Sequence, residues 1–207
     1  MIRKRLHTPL VWVVIFIFSF TSCGNKSGNT EAETGEATET EEHMHEESAK
    51  NEAPAKKPAS PRKASMAMVD GNHVHIDYSS PSVRGRVVFG GLVAYNQVWV
   101  TGAHKATSID FQKPVKINGQ EIEAGKYGFF TIPGEDTWTV IINKSWDMHL
   151  ADDYDQALDV LRIEVKPQIL DQIRESLEYQ VESLGDNRGR ISVAWDKIKI
   201  SFEIENI

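Results

Sequence analysis

The chain has 207 residues, a formal net charge of −7 at neutral pH and a single cysteine. The acidic balance, without a basic stripe, argues against a nucleic-acid-binding protein, and one cysteine excludes both an intrachain disulfide and a cysteine-rich metal site. The length leaves room for one domain with a sizeable core beside polar segments.

The first residues have the pattern of a bacterial export signal. A basic start at residues 3–5 precedes an apolar run over residues 10–20, which is shorter than the roughly 20 residues that a membrane-spanning helix needs. Cys23 follows two small residues and resembles the lipobox cysteine of bacterial lipoproteins, whose thiol is acylated. The alternative is a free thiol near an ordinary cleavage site. We predict a lipoprotein signal peptide over residues 1–22 and lipid, palmitate included, on Cys23.

The residues after the cysteine indicate where the protein is held. Gly24 and Asn25 include no aspartate that would favour the inner membrane, so we expect anchoring in the outer membrane of the cell envelope. The following segment lacks aromatic residues and cannot bury enough apolar surface to offset chain ordering. Residues 23–65 are therefore predicted to be a lipidated, disordered tether. Its His-Met-His run at residues 43–45 is expected to be solvated rather than bound to a metal.

Residues 66–207 are predicted to form one globular domain. Apolar and polar residues alternate with a period of two at several places, as at residues 73–78, which is typical of strands with one buried face. Turn signals separate these runs, and Asn118-Gly119 is the strongest of them. We predict a mainly β fold of eight to ten strands, an antiparallel β-sandwich of jelly-roll type with one or two short helices.

Two segments depart from the strand pattern. One is rich in aspartate, and Asp152 or Asp153 could cap a short helix at residues 156–158. In the other, between residues 166 and 177, the apolar residues are spaced as on one face of a helix. Near the C-terminus, Asp196 is expected to separate the last two strands.

Five blocks of the domain, read in order, resemble a known family. They are IDYSSPSVRGRVVFGGLV, VWVTGAHKATSIDF, INGQEIEAGKYGFFTIPGEDTWTVIIN, DYDQALDVLRIEVKP and ISVAWDKIKISFEIE. Together they are similar to the exported bacterial proteins labelled domain of unknown function 2911. The resemblance implies an exported, β-rich domain without an assigned activity. Within it, Val100, His104 and Lys105 stand where the family pattern has Arg, Asn and Glu.

His73, His75 and Asp77 form an H-x-H-x-D run. Alternate residues of a strand share a face, so two imidazoles and a carboxylate would project together toward one metal ion. No downstream histidine pair, H-E-x-x-H pattern or second carboxylate cluster completes the set. The other interpretation is a solvated polar face opposite a buried apolar one. A metal-dependent hydrolase using these three residues is the alternative function.

The run around Gly102 contains the second candidate site. Gly102 interrupts a strand-like pattern, so the chain is expected to bend there and re-aim the polar residues that follow. A solvated loop is one interpretation. The other is a rim pocket for an anionic or hydroxyl-rich ligand, most effective when its histidine is protonated. Its predicted lining is Tyr78, Arg84, Thr101, His104 and Lys105.

The sequence contains no nucleophile elbow and no phosphate-cradling glycine loop. We therefore predict a membrane-anchored envelope lipoprotein whose domain is a non-catalytic ligand-binding or interaction module. Its expected partners are an envelope glycan, a small anionic ligand or a protein, with neither nucleic acid nor a cofactor. Catalysis stays open as the alternative, since glycoside hydrolases need only two carboxylates that the fold brings together.

Overall fold

The structure, a computed structural model, describes residues 60–207. The predicted signal peptide, the lipidation site at Cys23 and the predicted tether up to residue 59 lie outside the described residues. Within residues 60–207, no helix is both long and apolar enough to cross a membrane.

Ten strands and one short helix form the described chain, and every pairing between strands is antiparallel. In chain order they are β1 (Arg62–Val69), β2 (Asn72–Ser79), β3 (Thr107–Phe111), β4 (Val115–Ile117), β5 (Gln120–Ile122), β6 (Gly125–Ile132), β7 (Trp138–Asn143), a 3-10 helix (Gln156–Leu158), β8 (Asp159–Val165), β9 (Gln168–Gly185) and β10 (Arg188–Asn206).

The strands form two sheets. The larger has the order β1-β2-β3-β6-β7-β8, and the smaller has the order β5-β4-β10-β9. Because side chains alternate along each strand, one apolar set from each sheet lies in the shared core. This confirms the antiparallel β-sandwich predicted from the sequence. The fully buried residues of this core include Ile76, Ile109, Phe129, Leu177, Ile191 and Ile200.

Three hairpins turn on residue pairs with positive φ angles, and the one between β9 and β10 does so at Asp186 and Asn187, with φ of 52° and 62°. Asn118 and Gly119, with φ of 50° and 81°, join β4 to β5 as predicted. Asp70 and Gly71, with φ of 43° and 78°, join β1 to β2 in the same way. Positive φ at both central residues is the two-residue turn that matches the twist of the flanking strands.

The helix predicted between residues 166 and 177 is wrong, because this segment lies in β9. β9 pairs with β10 at Gln168 and Ile169 and again from Arg174 to Gly185, with a register shift between the two stretches, so most of its backbone groups find partners in a sheet. Ile169, one of the apolar residues that suggested a helix face, is 73% exposed. Sheet pairing therefore outweighs the local helical spacing.

Three further boundaries differ in detail from the prediction. The short helix at residues 156–158 is confirmed, but Asp155 caps it by accepting a hydrogen bond from the backbone N–H of Ala157. Asp196 does not end a strand, because β10 continues through it with a register shift on each side and a φ of 54°, as at a bulge. β1 begins at Arg62, earlier than residue 66, because Arg62 already pairs with Ser79.

Candidate ligand-binding site

Four aromatic side chains pack into one cluster: Phe89, Trp99, Trp138 and Trp195. Trp99 and Trp195 stack with ring centroids 5.8 Å apart and planes 24° apart, and Phe89 meets both rings edge-on. The Trp99 indole is fixed because its Nε1 donates a hydrogen bond to the carbonyl oxygen of Gly102, 3.1 Å away. Such rings combine a large apolar area with a defined geometry, so the cluster provides a rigid, flat wall.

A cavity of about 450 Å³ is bordered by Trp99 and Trp195, and we name it the aromatic cavity. Its volume falls within the range of roughly 300–1,000 Å³ that is usual for small-molecule sites. The long connection between β2 and β3, the connection between β7 and β8, and β10 all contribute to it. Its other apolar lining residues include Leu92, Val93, Ala103 and Leu150.

None of the residues that line the aromatic cavity is an aspartate or a glutamate. Four of them are arginine or histidine: Arg84, Arg86, His104 and His149. Arg86 is held by hydrogen bonds that it donates to the carbonyl oxygens of Val83 (3.1 Å) and Ser82 (2.6 Å). The exposed imidazole of His104 forms no hydrogen bond with another residue of the described chain. Two carboxylates lie next to the rim: Oδ2 of Asp152 is 3.3 Å from Nδ1 of His149, and Oε1 of Glu175 accepts from the backbone N–H of Arg84 (3.0 Å). The lining itself contains basic side chains and no carboxylate, which favours an anionic ligand.

Strained backbone conformations concentrate around this cavity. Arg84, His104 and Leu150 line it with φ angles of 51°, 61° and 50°, and Thr101, next to the lining residue Gly102, has a φ of 48°. The other described residues with positive φ are glycine, asparagine or aspartate, which adopt this region more readily. Such strain persists where the surroundings enforce it, and it clusters at functional sites.

Thr101 shows how the strain is enforced. Its Oγ1 lies 2.9 Å from Oγ1 of Thr131, and its carbonyl oxygen accepts hydrogen bonds from the Tyr179 hydroxyl (2.9 Å) and from Thr107 Oγ1 (3.2 Å). The side chain is completely buried. Thr101 therefore positions the loop that carries His104 and is not itself part of the cavity lining.

The structure brings together only part of the predicted pocket. Arg84 and His104 both line the aromatic cavity. Lys105 lies outside it, in an ion pair with Asp147 at 2.8 Å. Tyr78 is buried in the core and borders a different cavity. The bend predicted after Gly102 is present, and it leaves Lys105 outside the aromatic cavity. His104 and Lys105 together border a second, more open cavity beside Asp147 and His149.

Most of the residues that line the aromatic cavity could not be predicted from local sequence patterns. Trp195 reaches the cavity only through the position of β10 in its sheet. His149 is brought beside the His104 loop by an isolated antiparallel bridge to Lys105, and the backbone N–H of Leu150 donates to the carbonyl oxygen of His104 at 2.6 Å. These are contacts between distant parts of the chain, and the local sequence gave no signal for them.

The connection that supplies His149 and Leu150 is fastened by a polar network. The Tyr154 hydroxyl donates to Oδ2 of Asp159 (2.7 Å) and accepts from Arg162 (2.9 Å), which also donates to Asp159 (2.7 Å). Desolvation by burial and the hydrogen bond to Asp159 raise the pKa of Tyr154 to about 12. The neutral hydroxyl is therefore the form that stabilises this wall of the cavity.

Tyr154→Phe is expected to lower the free energy of unfolding by about 1 kcal/mol at neutral pH, because it removes the hydroxyl from this network. The folded-state pKa lies above the ordinary value of 10.0, so the stabilisation is complete below pH 10 and is lost as the pH rises through about 12. Urea unfolding of both proteins from pH 7 to pH 12 measures this difference. Tyr95→Phe, at a hydroxyl without a hydrogen bond in the described chain, is the control. A difference that stays constant to pH 12 would contradict this role.

His73, His75 and Asp77 project from one face of β2, as predicted, but they do not form the predicted metal site. Oδ1 of Asp77 lies 3.1 Å from Nε2 of His75, and Oδ2 lies 3.6 Å from Nζ of Lys126. Desolvation acts to raise the pKa of Asp77, but the hydrogen bond to His75 and the nearby positive charges lower it below its ordinary value. The carboxylate is thus committed to the imidazole of His75 and the ammonium group of Lys126. Residues 60–207 contain no group of three His, Cys, Asp or Glu side chains that could hold a metal ion.

A protein-family model described as "Protein of unknown function (DUF2911)" matches residues 60–204. This range includes β1 to β9, all of β10 except its last two residues, and all the residues that line the aromatic cavity. No curated protein and no solved structure matches the chain.

Proposed function

The chain belongs to the DUF2911 family, as its sequence blocks predicted, and from this premise we propose that its domain is a non-catalytic module that binds a small, ring-bearing anion in the aromatic cavity. One observation carries the proposal. The cavity lining combines two stacked indoles with four arginine or histidine side chains and contains no carboxylate.

Each part of the lining suits one part of such a ligand. A sugar or aromatic ring can pack on Trp99 and Trp195. The guanidinium of Arg84 matches the geometry of a carboxylate, phosphate or sulfonate, and His104 adds positive charge when it is protonated. The Trp195 Nε1–H is buried and has no acceptor within the described chain. A buried donor without a partner is uncommon. Because this atom has almost no accessible surface, a ligand acceptor would complete it only after the ring moves toward the cavity.

The polar groups that line the aromatic cavity support ligand binding without catalysis, because they are not arranged as a nucleophile and its base. Ser82 is a possible nucleophile there, but its hydroxyl lies 3.3 Å from that of Ser176 and not beside an imidazole. An activated serine needs a base within hydrogen-bond distance. The acidic sugars of an envelope glycan and free aromatic acids share the required ring and negative charge, so both belong to the proposed ligand class.

The test uses 1-anilinonaphthalene-8-sulfonate, a fluorescent compound that combines aromatic rings with a sulfonate. We expect the full-length protein to bind it saturably at a single site. Glucuronate should displace it more effectively than uncharged glucose if the natural ligand is an acidic sugar, and benzoate should do so if it is an aromatic acid. Absence of saturable binding, or displacement by glucose as effective as by both anions, would contradict the proposal.

We also propose that lipid on Cys23 anchors the protein in the outer membrane of the cell envelope. The support is the basic start, the apolar run of residues 10–20 and the position of the single cysteine after small residues. The lipid would then be joined to the binding domain through the polar segment of about forty residues that follows Cys23.

Cys23→Ser is expected to release the protein from the membrane fraction, because serine has no thiol to acylate. Membrane fractionation and intact-mass measurement follow the change. Ser22→Ala keeps a small residue before the cysteine and should leave the protein lipidated. A Cys23→Ser protein that still sediments with membranes, together with an unmodified wild-type mass, would contradict the anchor without bearing on the ligand site.

A further inference from the structure

The first hairpin brings two methionines opposite two histidines. The two-residue turn at Asp70 and Gly71 fixes the register of β1 and β2, in which Met66 pairs with His75 and Met68 pairs with His73. Residues that pair directly across two antiparallel strands place their side chains on the same face of the sheet, with Cβ atoms about 4.5–5.5 Å apart. The sulfur and nitrogen side chains therefore form a compact quartet.

This quartet lies on the outer face of the larger sheet. Met66 is 52% exposed and Met68 is 55% exposed, although methionine is usually buried. The intervening Val74 and Ile76 face the core. The rings of His73 and His75 are partly exposed, with centroids 5.8 Å apart. The two thioethers thus contribute little to the core and are available to a ligand from solution.

We propose that Met66, Met68, His73 and His75 form a binding site for a cuprous ion. Thioether sulfur is a soft ligand that selects Cu(I), and imidazole binds copper well. Zinc and other harder ions favour thiolate, imidazole and carboxylate sets, and the described residues contain no such set of three. Methionine has three rotatable bonds and a polarisable sulfur, so the exposed pair can adapt its geometry to the ion.

The surroundings of His75 favour this role. Its Nε2 lies 3.1 Å from Oδ1 of Asp77, and in the tautomer that protonates Nε2 this atom donates to the carboxylate while Nδ1 keeps a free lone pair. Metal-binding histidines are commonly oriented by a carboxylate in this way. Lys126, 3.6 Å from the other oxygen of Asp77, holds that carboxylate in the orienting position. This site is separate from the aromatic cavity and does not depend on the function proposed for it.

The test is an anaerobic titration of the full-length protein with Cu(I) in competition with bicinchoninate. Other groups that could bind the same ion, the thiol and the His-Met-His run, are removed first. The background protein therefore carries Cys23→Ser, His43→Ala, Met44→Leu and His45→Ala. In this background we expect one cuprous ion per chain. X-ray absorption at the copper edge should show sulfur and nitrogen neighbours.

Met66→Leu with Met68→Leu should weaken Cu(I) binding by at least about 100-fold, because both changes remove a ligand atom. Loss of a group that only hydrogen-bonds to a metal ligand already lowers metal affinity about 10- to 100-fold. The same pair should leave any affinity of the two imidazoles for Zn²⁺ unchanged, because zinc does not select thioether ligands. Both positions are exposed, so the unfolding midpoint should move little. His73→Gln with His75→Gln should weaken Cu(I) binding to a similar extent. Unchanged Cu(I) affinity in either double variant, or no competition with bicinchoninate by the background protein, would overturn the proposal.

Discussion

Phe129→Ala is expected to lower the free energy of unfolding by about 3–5 kcal/mol, the cost typical of truncating a large buried aromatic side chain. Phe129 lies in β6 of the larger sheet and is completely buried. Its ring stacks on Phe202 of β10 with centroids 6.1 Å apart, and it meets Tyr179 of β9 edge-on at 5.6 Å. Alanine would leave a void between two sheets whose strands are fixed by their hydrogen-bond ladders.

Urea unfolding followed by tryptophan fluorescence measures this effect. Ile169→Ala is the control because it removes apolar atoms from a side chain that is 73% exposed, and it should change the stability by less than about 0.5 kcal/mol. Losses of similar size for the two variants would contradict the assignment of Phe129 to the contact between the sheets.

Arg84→Asn combined with His104→Asn is expected to weaken binding of 1-anilinonaphthalene-8-sulfonate by at least about 100-fold at pH 6, because two hydrogen bonds to charged groups are lost. Each hydrogen bond to a charged group contributes about 1.5–3 kcal/mol, and about 1.4 kcal/mol is a tenfold change in affinity. Asparagine is the replacement because both residues have positive φ angles, 51° and 61°, which asparagine adopts with little strain. The variant therefore removes both side chains while keeping residues that tolerate these φ angles.

Lys105→Asn is the matched control. It removes a neighbouring positive charge, but Lys105 lies outside the aromatic cavity and pairs with Asp147. Its affinity for the sulfonate should stay within about twofold of the wild type, because an exposed charge outside the site is screened by salt. Equal weakening by the Lys105 variant and by the Arg84 and His104 variant would indicate general electrostatic attraction instead of a site.

The period-two patterns predicted much of the fold because each strand has one buried and one exposed face. Val74, Ile76 and Tyr78 are buried and alternate with more exposed polar residues, as expected. The helix predicted between residues 166 and 177 failed for a physical reason. Its apolar spacing is a local property, whereas the long ladder with β10 is a property of the whole chain and supplies partners for the backbone.

The candidate site was predictable only in part. The bend after Gly102 and the cationic character of Arg84 and His104 follow from local sequence. The contribution of Trp195 does not, because a tryptophan in an alternating strand has the same pattern whether or not a cavity borders its ring. The pairing of Met66 with His75 likewise depends on the register of the hairpin. A slip of one residue would place the side chains of one strand on the opposite face of the sheet.

The most direct test of the binding site is a two-dimensional ¹H–¹⁵N spectrum of the tryptophan indoles during titration with 1-anilinonaphthalene-8-sulfonate. The indole signals of Trp99 and Trp195 should shift together along one saturation curve, because both rings border the aromatic cavity. The signal of Trp146, whose ring lies beneath the ammonium group of Lys126 at 4.5 Å, should not move. Shifts confined to Trp146, or saturable binding that leaves Trp99 and Trp195 unchanged, would contradict the assignment of the aromatic cavity as the ligand site.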